Sequence, residues 1–286
     1  MAREVADALA SGVPVVALET SIVAQGLPAP HNLEAGLGCE AAIRREGGVP
    51  ATIAVMDGEL RVGLRPGELE RLAASESRKV SSRDLGPVLA TGELGATTVA
   101  ATMRAAAMAG IRFMATGGIG GVHRGHPEDE SADLAELARS QVAVFCAGAK
   151  MVLDIPLTLE RLESLSVPVL GYGCDEFPAF YSARSGRRVD ARVDGPEATA
   201  RALAAAWATG SHGVVVAQPP PEELPGAEGM VEQALAEVDA SGPEATPALL
   251  ARVAELSGGR SVTLNVKLVL ANATTAARCA RAWSAL

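Results

Sequence analysis

The sequence predicts an α/β fold built on a largely parallel sheet that helices cover on both faces. Two observations carry this. Short, wholly apolar runs alternate with helical patterns along the chain, and runs without in-and-out alternation belong to strands buried on both sides. The 286 residues are 48% hydrophobic but only 3% aromatic, so the core must be built from Ala, Val, Leu and Ile. That length suits one large α/β domain or two small ones.

The elements follow in order. Val13 to Leu18 reads as a buried strand after Gly12, and Asn32 to Arg45 as a helix ending near Gly47. Ala51 to Val55 is a second strand, and Met56-Asp57-Gly58 supplies a turn before Glu59 to Gly63. Ala96 to Ala109, rich in Ala, Thr and Met, reads as a buried helix stopped by Gly110. Ile111 to Ala115 is a strand that runs into the glycine-rich stretch TGGIGGVHRG. Further on, helices are expected at Ser131 to Ser140, Leu157 to Leu165 and Pro196 to Thr209, the last with proline in its first turn. Strands are expected at Val142 to Ala147, Val167 to Tyr172 and Gly213 to Ala217. Phe177 to Gly195 and Gln218 to Gly229 read as loops, and the tail from Met230 as helical. Ser261 to Leu270 fits a strand by its alternation and a helix by its flanks.

Composition narrows the function. The net charge is −9 and no Lys/Arg-rich run stands out, so neither a nucleic-acid backbone nor an anionic membrane surface is an expected partner. A phosphate would need a local cluster of donors. Cys39, Cys146, Cys174 and Cys279 lack CxxC spacing and read as reduced, buried small hydrophobes. The first residues, MAREVADALASG, form an amphipathic helical pattern rather than an export signal, and no apolar stretch has membrane-spanning length. A cytoplasmic, soluble enzyme is the expectation.

Lys150 closes VAVFCAGAK, an apolar strand followed by small residues. Sites in parallel sheets form just beyond the carboxyl ends of strands, and an amine walled by apolar groups there becomes a usable nucleophile. The plain alternative is a surface lysine opening the next helix. Glu19 directly follows the strand at 13–18 and is a candidate general acid, or else a solvated strand-end acid. The glycines of TGGIGGVHRG permit a concave run of backbone N–H groups suited to a phosphate, with His123 and Arg124 as added donors; a plain glycine-rich turn is the alternative. The stretch lacks the GK[ST] ending of a Walker loop and the GxGxxG pattern. Asp129, Glu130 and Asp133 around Ser131 suit either helix capping or a hard cation such as magnesium or manganese. Lys79 and Arg83 form a compact basic patch for a phosphate or a base carbonyl, or a solvated loop.

Taken together these segments resemble the pseudouridine-5′-phosphate glycosidase family, also described as indigoidine-synthase-A-like. The likeness rests on LETSI (18–22), PATIAV (50–55), KVSSRDL (79–85), GATTVAATM (95–103), ATGGIGGVHRG (115–125), ESADL (130–134), CAGAK (146–150), EFPAFY (176–181) and TPALLARVAELSGG (246–259), in the same order over nearly the whole chain. It implies a three-layer α/β/α fold with a largely parallel mixed sheet, one catalytic domain over residues 1–286 and a homotrimer. It implies a small-molecule substrate, pseudouridine 5′-phosphate, split reversibly at its C–C glycosidic bond into uracil and ribose 5-phosphate. By the resemblance Lys150 is the covalent nucleophile, Glu19 the proton donor and Asp129 the ligand of a divalent metal, commonly Mn2+. Lys79, Val99, Ser131, Ala132 and Asp133 would contact substrate, and Thr116, His123 and Asn265 match further site positions. The chain departs from the family pattern at Ser82, where an arginine is usual, at Gln218 in VAQPPPE, at Ala271, and in the order of Thr20 and Ser21. Two other readings remain: a different lysine-imine lyase or aldolase acting on a sugar phosphate, and a non-catalytic sugar-phosphate binding protein.

Overall fold

The computed structural model describes residues 1–239 and 245–286. Its strands are β1 (Val15–Leu18), β2 (Val49–Met56), β3 (Glu59–Val62), β4 (Arg78–Val80), β5 (Gly95–Thr97), β6 (Phe113–Ala115), β7 (Val122–His123), β8 (His126–Glu130), β9 (Ala143–Cys146), β10 (Leu153–Asp154), β11 (Val169–Tyr172), β12 (Ala191–Val193) and β13 (Val214–Ala217). Its helices are α1 (Arg3–Ala10), α2 (His31–Arg45), α3 (Glu68–Ala74), α4 (Leu85–Thr91), α5 (Val99–Met108), α6 (Ala132–Leu137), α7 (Ile155–Ser164), α8 (Pro196–Ala208), α9 (Ala227–Glu237), α10 (Ala245–Leu256) and α11 (Arg260–Ser284), with a π-helical turn at Ile22–Gly26. None of the described helices is long and apolar enough to cross a membrane.

A 10-stranded sheet runs in the order β12-β11-β13-β9-β6-β1-β2-β5-β4, with β3 also on β2. From β12 to β2 every neighbouring pair is parallel. The first half of β2 pairs with β1, while its second half carries β3 and β5, both antiparallel to it. Asp57 and Gly58, both at positive φ, make the tight β2–β3 turn that the Asp-Gly dipeptide predicts. Helices α11 and α5 both lie across β1 and β6, with the sheet between them, and this is the three-layer α/β/α arrangement. α5 is buried nearly all round because its residues are small, with Val99, Ala100, Ala101, Ala105 and Ala106 each below the surface. In α11 one face carries Ser261, Asn265, Leu268 and Asn272 inward at helical spacing.

Several expectations need correction. Ser261 to Leu270 is helix throughout, part of α11, so its alternation was not a strand signal. The loop expected at 177–195 ends in a short edge strand, β12, and α9 begins at Ala227, inside the second expected loop. The helix expected from Ala96 instead starts at Val99, after β5 and a Thr98 cap whose hydroxyl accepts from Ala101 N. β4, β5 and the small β10-β7-β8 sheet, two or three residues long for the most part, were not expected. Cys39, Cys146 and Cys279 are buried and free, as read from the sequence, and Cys174 is half-buried. Burial pushes the Cys146 and Cys279 thiols up to about 12, which makes them inert packing groups.

Candidate active site

Because β5 runs against β2, its carboxyl end returns to meet the carboxyl end of β1. A threonine junction ties the two. Thr20 N donates to Thr97 O (3.2 Å), Thr97 N donates to Thr20 Oγ1 (2.9 Å), and both hydroxyls donate to Ile53 O (2.7 and 2.6 Å). Beside this junction the carboxyl ends of β1, β6 and β9 surround a cavity of about 570 Å3. Every site position implied by the family resemblance lines this cavity: Glu19 and Thr116 after β1 and β6, Lys150 after β9, Lys79 and Val99 from the β4–β5 side, His123 and Asp129 from β7 and β8, Ser131, Ala132 and Asp133 at the start of α6, and Asn265 from α11.

Glu19 is buried and accepts hydroxyl hydrogen bonds on both carboxylate oxygens, from Thr116 on Oε1 and from Ser21 on Oε2. Lys150 is partly buried and sits on a turn rather than on a helix. Its N–H donates to Ile119 O (3.2 Å), and its own carbonyl accepts from Leu153 N (3.0 Å). The glycine before it is obligatory: Gly148 has φ +80°, and a Cβ there would run into the backbone of Pro178. His123 has its pKa held below the ordinary histidine value, first by burial; the charges of His126, Lys79 and Lys150 push the same way and Asp129 opposes them. The imidazole is therefore neutral at pH 7.

The glycine-rich stretch is built for close packing more than for a bare anion nest. Ile119 N donates to Gly148 O (3.0 Å), Gly120 N to Asp133 Oδ2 (2.8 Å) and Val122 N to Thr158 Oγ1 (3.0 Å), so these N–H groups are already used. A Cβ at Gly120 would overlap Ser131 Oγ. Arg124, read as a phosphate donor, lies outside the cavity and bonds backbone carbonyls instead. Glu130 pairs with Arg161 (2.7 and 3.0 Å), and Asp133 spends both oxygens on backbone N–H groups. No cluster of three His, Cys, Asp or Glu ligands occurs among the described residues.

The sequence and the fold match known proteins. The family model described as "Indigoidine synthase A like protein" matches residues 4–282. The chain belongs to this family. It is 54% identical to a pseudouridine-5′-phosphate glycosidase of Nocardioides sp., over 99% of this chain and 96% of that protein. It is 50% identical to a protein of the same name from Sorangium cellulosum, over 100% of this chain and 94% of that one. The crystal structure of the prealnumycin C-glycosynthase AlnA in complex with ribulose 5-phosphate superposes with a TM-score of 0.91 at 38% identity, covering 99% of this chain and 96% of that one.

Several cavity residues were not foreseen. Glu136 is buried and accepts from Arg104 (2.7 and 3.3 Å), from Ser82 Oγ (2.8 Å) and from Ser140 Oγ (2.6 Å). Arg104 also donates to Ser82 O (3.3 Å), so the departure at Ser82 is tied into a charged rim. Phe180 lines the cavity at φ +64°, a backbone state that no sequence pattern reveals. Its motif, EFPAFY, was noticeable, but its role was not.

Proposed function

We propose that this chain cleaves the C–C glycosidic bond of pseudouridine 5′-phosphate, reversibly, to give uracil and ribose 5-phosphate. The observation that carries the reading is the gathering of Glu19, Lys150, Lys79, His123 and Asp129 around one cavity at the carboxyl ends of three adjacent parallel strands. The full-length relatives named pseudouridine-5′-phosphate glycosidase support the substrate. The ribulose 5-phosphate bound by the superposable C-glycosynthase supports a sugar phosphate as one half of it.

The chemistry follows from the bond. Uracil joined through carbon C5 is a poor leaving group, so the sugar must be activated first. The Lys150 amine attacks C1′ as the bond from C1′ to the ring oxygen breaks, and Glu19 gives its proton to that oxygen. The lysine nitrogen loses a proton. Protonation at uracil C5 then breaks the C1′–C5 bond, and the nitrogen lone pair forms an imine between Lys150 and the open sugar. Water hydrolyses the imine and frees the amine. Ser21 and Thr116 hold the Glu19 carboxyl at the ring-oxygen side, and neutral His123 is free to bond sugar or phosphate oxygens. Lys79 supplies positive charge for an anionic group.

A divalent cation fits this site in one way. With the Asp133 and Glu130 carboxylates engaged elsewhere, Asp129 would hold it together with water and substrate oxygens, the manner of Mg2+ or Mn2+ rather than of a closed protein cage. When bound, such an ion supplies electrostatic stabilisation of phosphate or sugar oxygens. The reading includes one catalytic domain, a homotrimer and a reducing cytoplasm suited to free thiols.

Borohydride reduction in the presence of ribose 5-phosphate, followed by peptide mass spectrometry, tests the core of the reading. The expected product is a reduced sugar adduct on Lys150 that is missing from Lys150→Ala. An adduct on another lysine, or uracil release undiminished in Lys150→Ala, sinks it.

A further inference from the structure

We infer that Arg124 is a positioning residue for the nucleophile turn. It stands between β7 and β8, beside the sheet end but outside the cavity. Its guanidinium forks onto two carbonyls of the segment just after Lys150: Nη2 donates to Met151 O (2.9 Å) and Nε to Leu153 O (3.0 Å). Its third nitrogen, Nη1, donates to Glu232 Oε1 of α9 (2.6 Å).

Packing apart, the hydrogen bonds that otherwise hold the turn from Lys150 to Leu153 among the described residues are at its ends. Lys150 N is tied to Ile119 O, and Leu153 pairs with His123 where β10 meets β7. Between these anchors the carbonyls of Met151 and Leu153, whose side chains are buried, point to Arg124. A planar fork fixes two acceptors at once in direction as well as distance. A lysine ammonium in its place would be a single point charge on a flexible stem. The glycine-rich stretch thus spends its arginine on aiming the amine rather than on holding a phosphate.

The inference rests on the reading of Lys150 as the nucleophile. Displacing a reacting group by about 1 Å can cost on the order of 10²-fold in rate. Arg124→Met is therefore expected to lower kcat for pseudouridine 5′-phosphate by about 10²-fold, with KM nearly constant, because the loss falls on the reacting geometry and not on general binding. The rate of borohydride trapping with ribose 5-phosphate should fall in parallel. Arg124→Lys, which can reach one carbonyl, should lie between Arg124→Met and the native chain. Glu232→Gln should be close to native, since it leaves both carbonyl contacts in place.

Folding is checked by circular dichroism melts. A folded Arg124→Met with native kcat and native trapping rate overturns the inference, as does a loss that falls wholly on KM. If Arg124→Met does not fold, Arg124→Lys decides, and native kcat in that variant overturns it. A defect in Glu232→Gln as large as that in Arg124→Lys would also overturn it, by moving the effect to the ion pair. The two readings fail differently. Turnover surviving in Lys150→Ala removes the nucleophile and this inference together, whereas a dead Lys150→Ala beside a fully active Arg124→Met removes only the inference.

Discussion

Asp133 Oδ2 accepts the N–H of Gly120 at 2.8 Å, while Oδ1 accepts that of Ala100 at 2.8 Å. One buried carboxylate thereby joins the glycine-rich stretch to the first turn of α5, next to Val99. Asp133→Asn turns one of these acceptors into a donor that faces an N–H. Leaving a buried donor unmatched costs about 1–3 kcal/mol. The expected outcome is a lower melting temperature and weaker turnover, and an unchanged melt would deny the clamp.

Glu19 should depend on its two hydroxyl partners. Thr116→Val removes the donor to Oε1 at nearly constant volume, and Thr116→Ser keeps it. Turnover should fall in the first and recover in the second. Glu19→Gln should lose about 10²–10⁴-fold, the usual worth of a general acid. Equal activity in Thr116→Val and Thr116→Ser would show that the hydroxyl is incidental.

A buried amide relay lies behind Thr116. Gln218 Nε2 donates to Asn272 Oδ1 (2.7 Å), and Asn272 Nδ2 donates to Thr116 O (2.7 Å). Gln218→Met conserves size but leaves the Asn272 oxygen without a donor, at a cost of about 1–3 kcal/mol. Chemical denaturation should show the loss. If stability holds, the relay contributes nothing measurable.

His123 makes stability depend on pH in a definite direction. Burial lowers its pKa in the folded chain, whereas the unfolded chain returns it to about 6.5. Between the two values the unfolded state binds more protons, so this contribution is fully present above about pH 6.5 and is lost as pH falls through the folded value. His123→Gln should flatten that part of the curve of melting temperature against pH. An unaltered slope would assign the effect to other groups.

Much of this was legible in the residues. The runs 13–18, 111–115 and 142–147 announced themselves as strands because the segments that form β1, β6 and β9 within them are buried on both faces. Glu19, Thr116 and Lys150 follow those strands, where a parallel sheet offers its side chains. β4 and β5 were hidden because three residues of strand carry no periodicity. α11 was ambiguous because its buried face carries Ser261, Asn265 and Asn272, polar residues that break an apolar stripe. Arg124 was misjudged for another reason: which acceptor a guanidinium takes depends on a carbonyl brought back from 27 residues further along the chain.

The return of β5 against β2 has one more result. The two walls of the cavity come from strands of opposite sense that are sewn together at Thr20, Ile53 and Thr97. Any molecule that touches both Lys150 and Lys79 reinforces this seam. Amide deuterium uptake at Thr20 and Thr97 should therefore slow when the cavity is filled, reporting occupancy from a place the occupant never reaches.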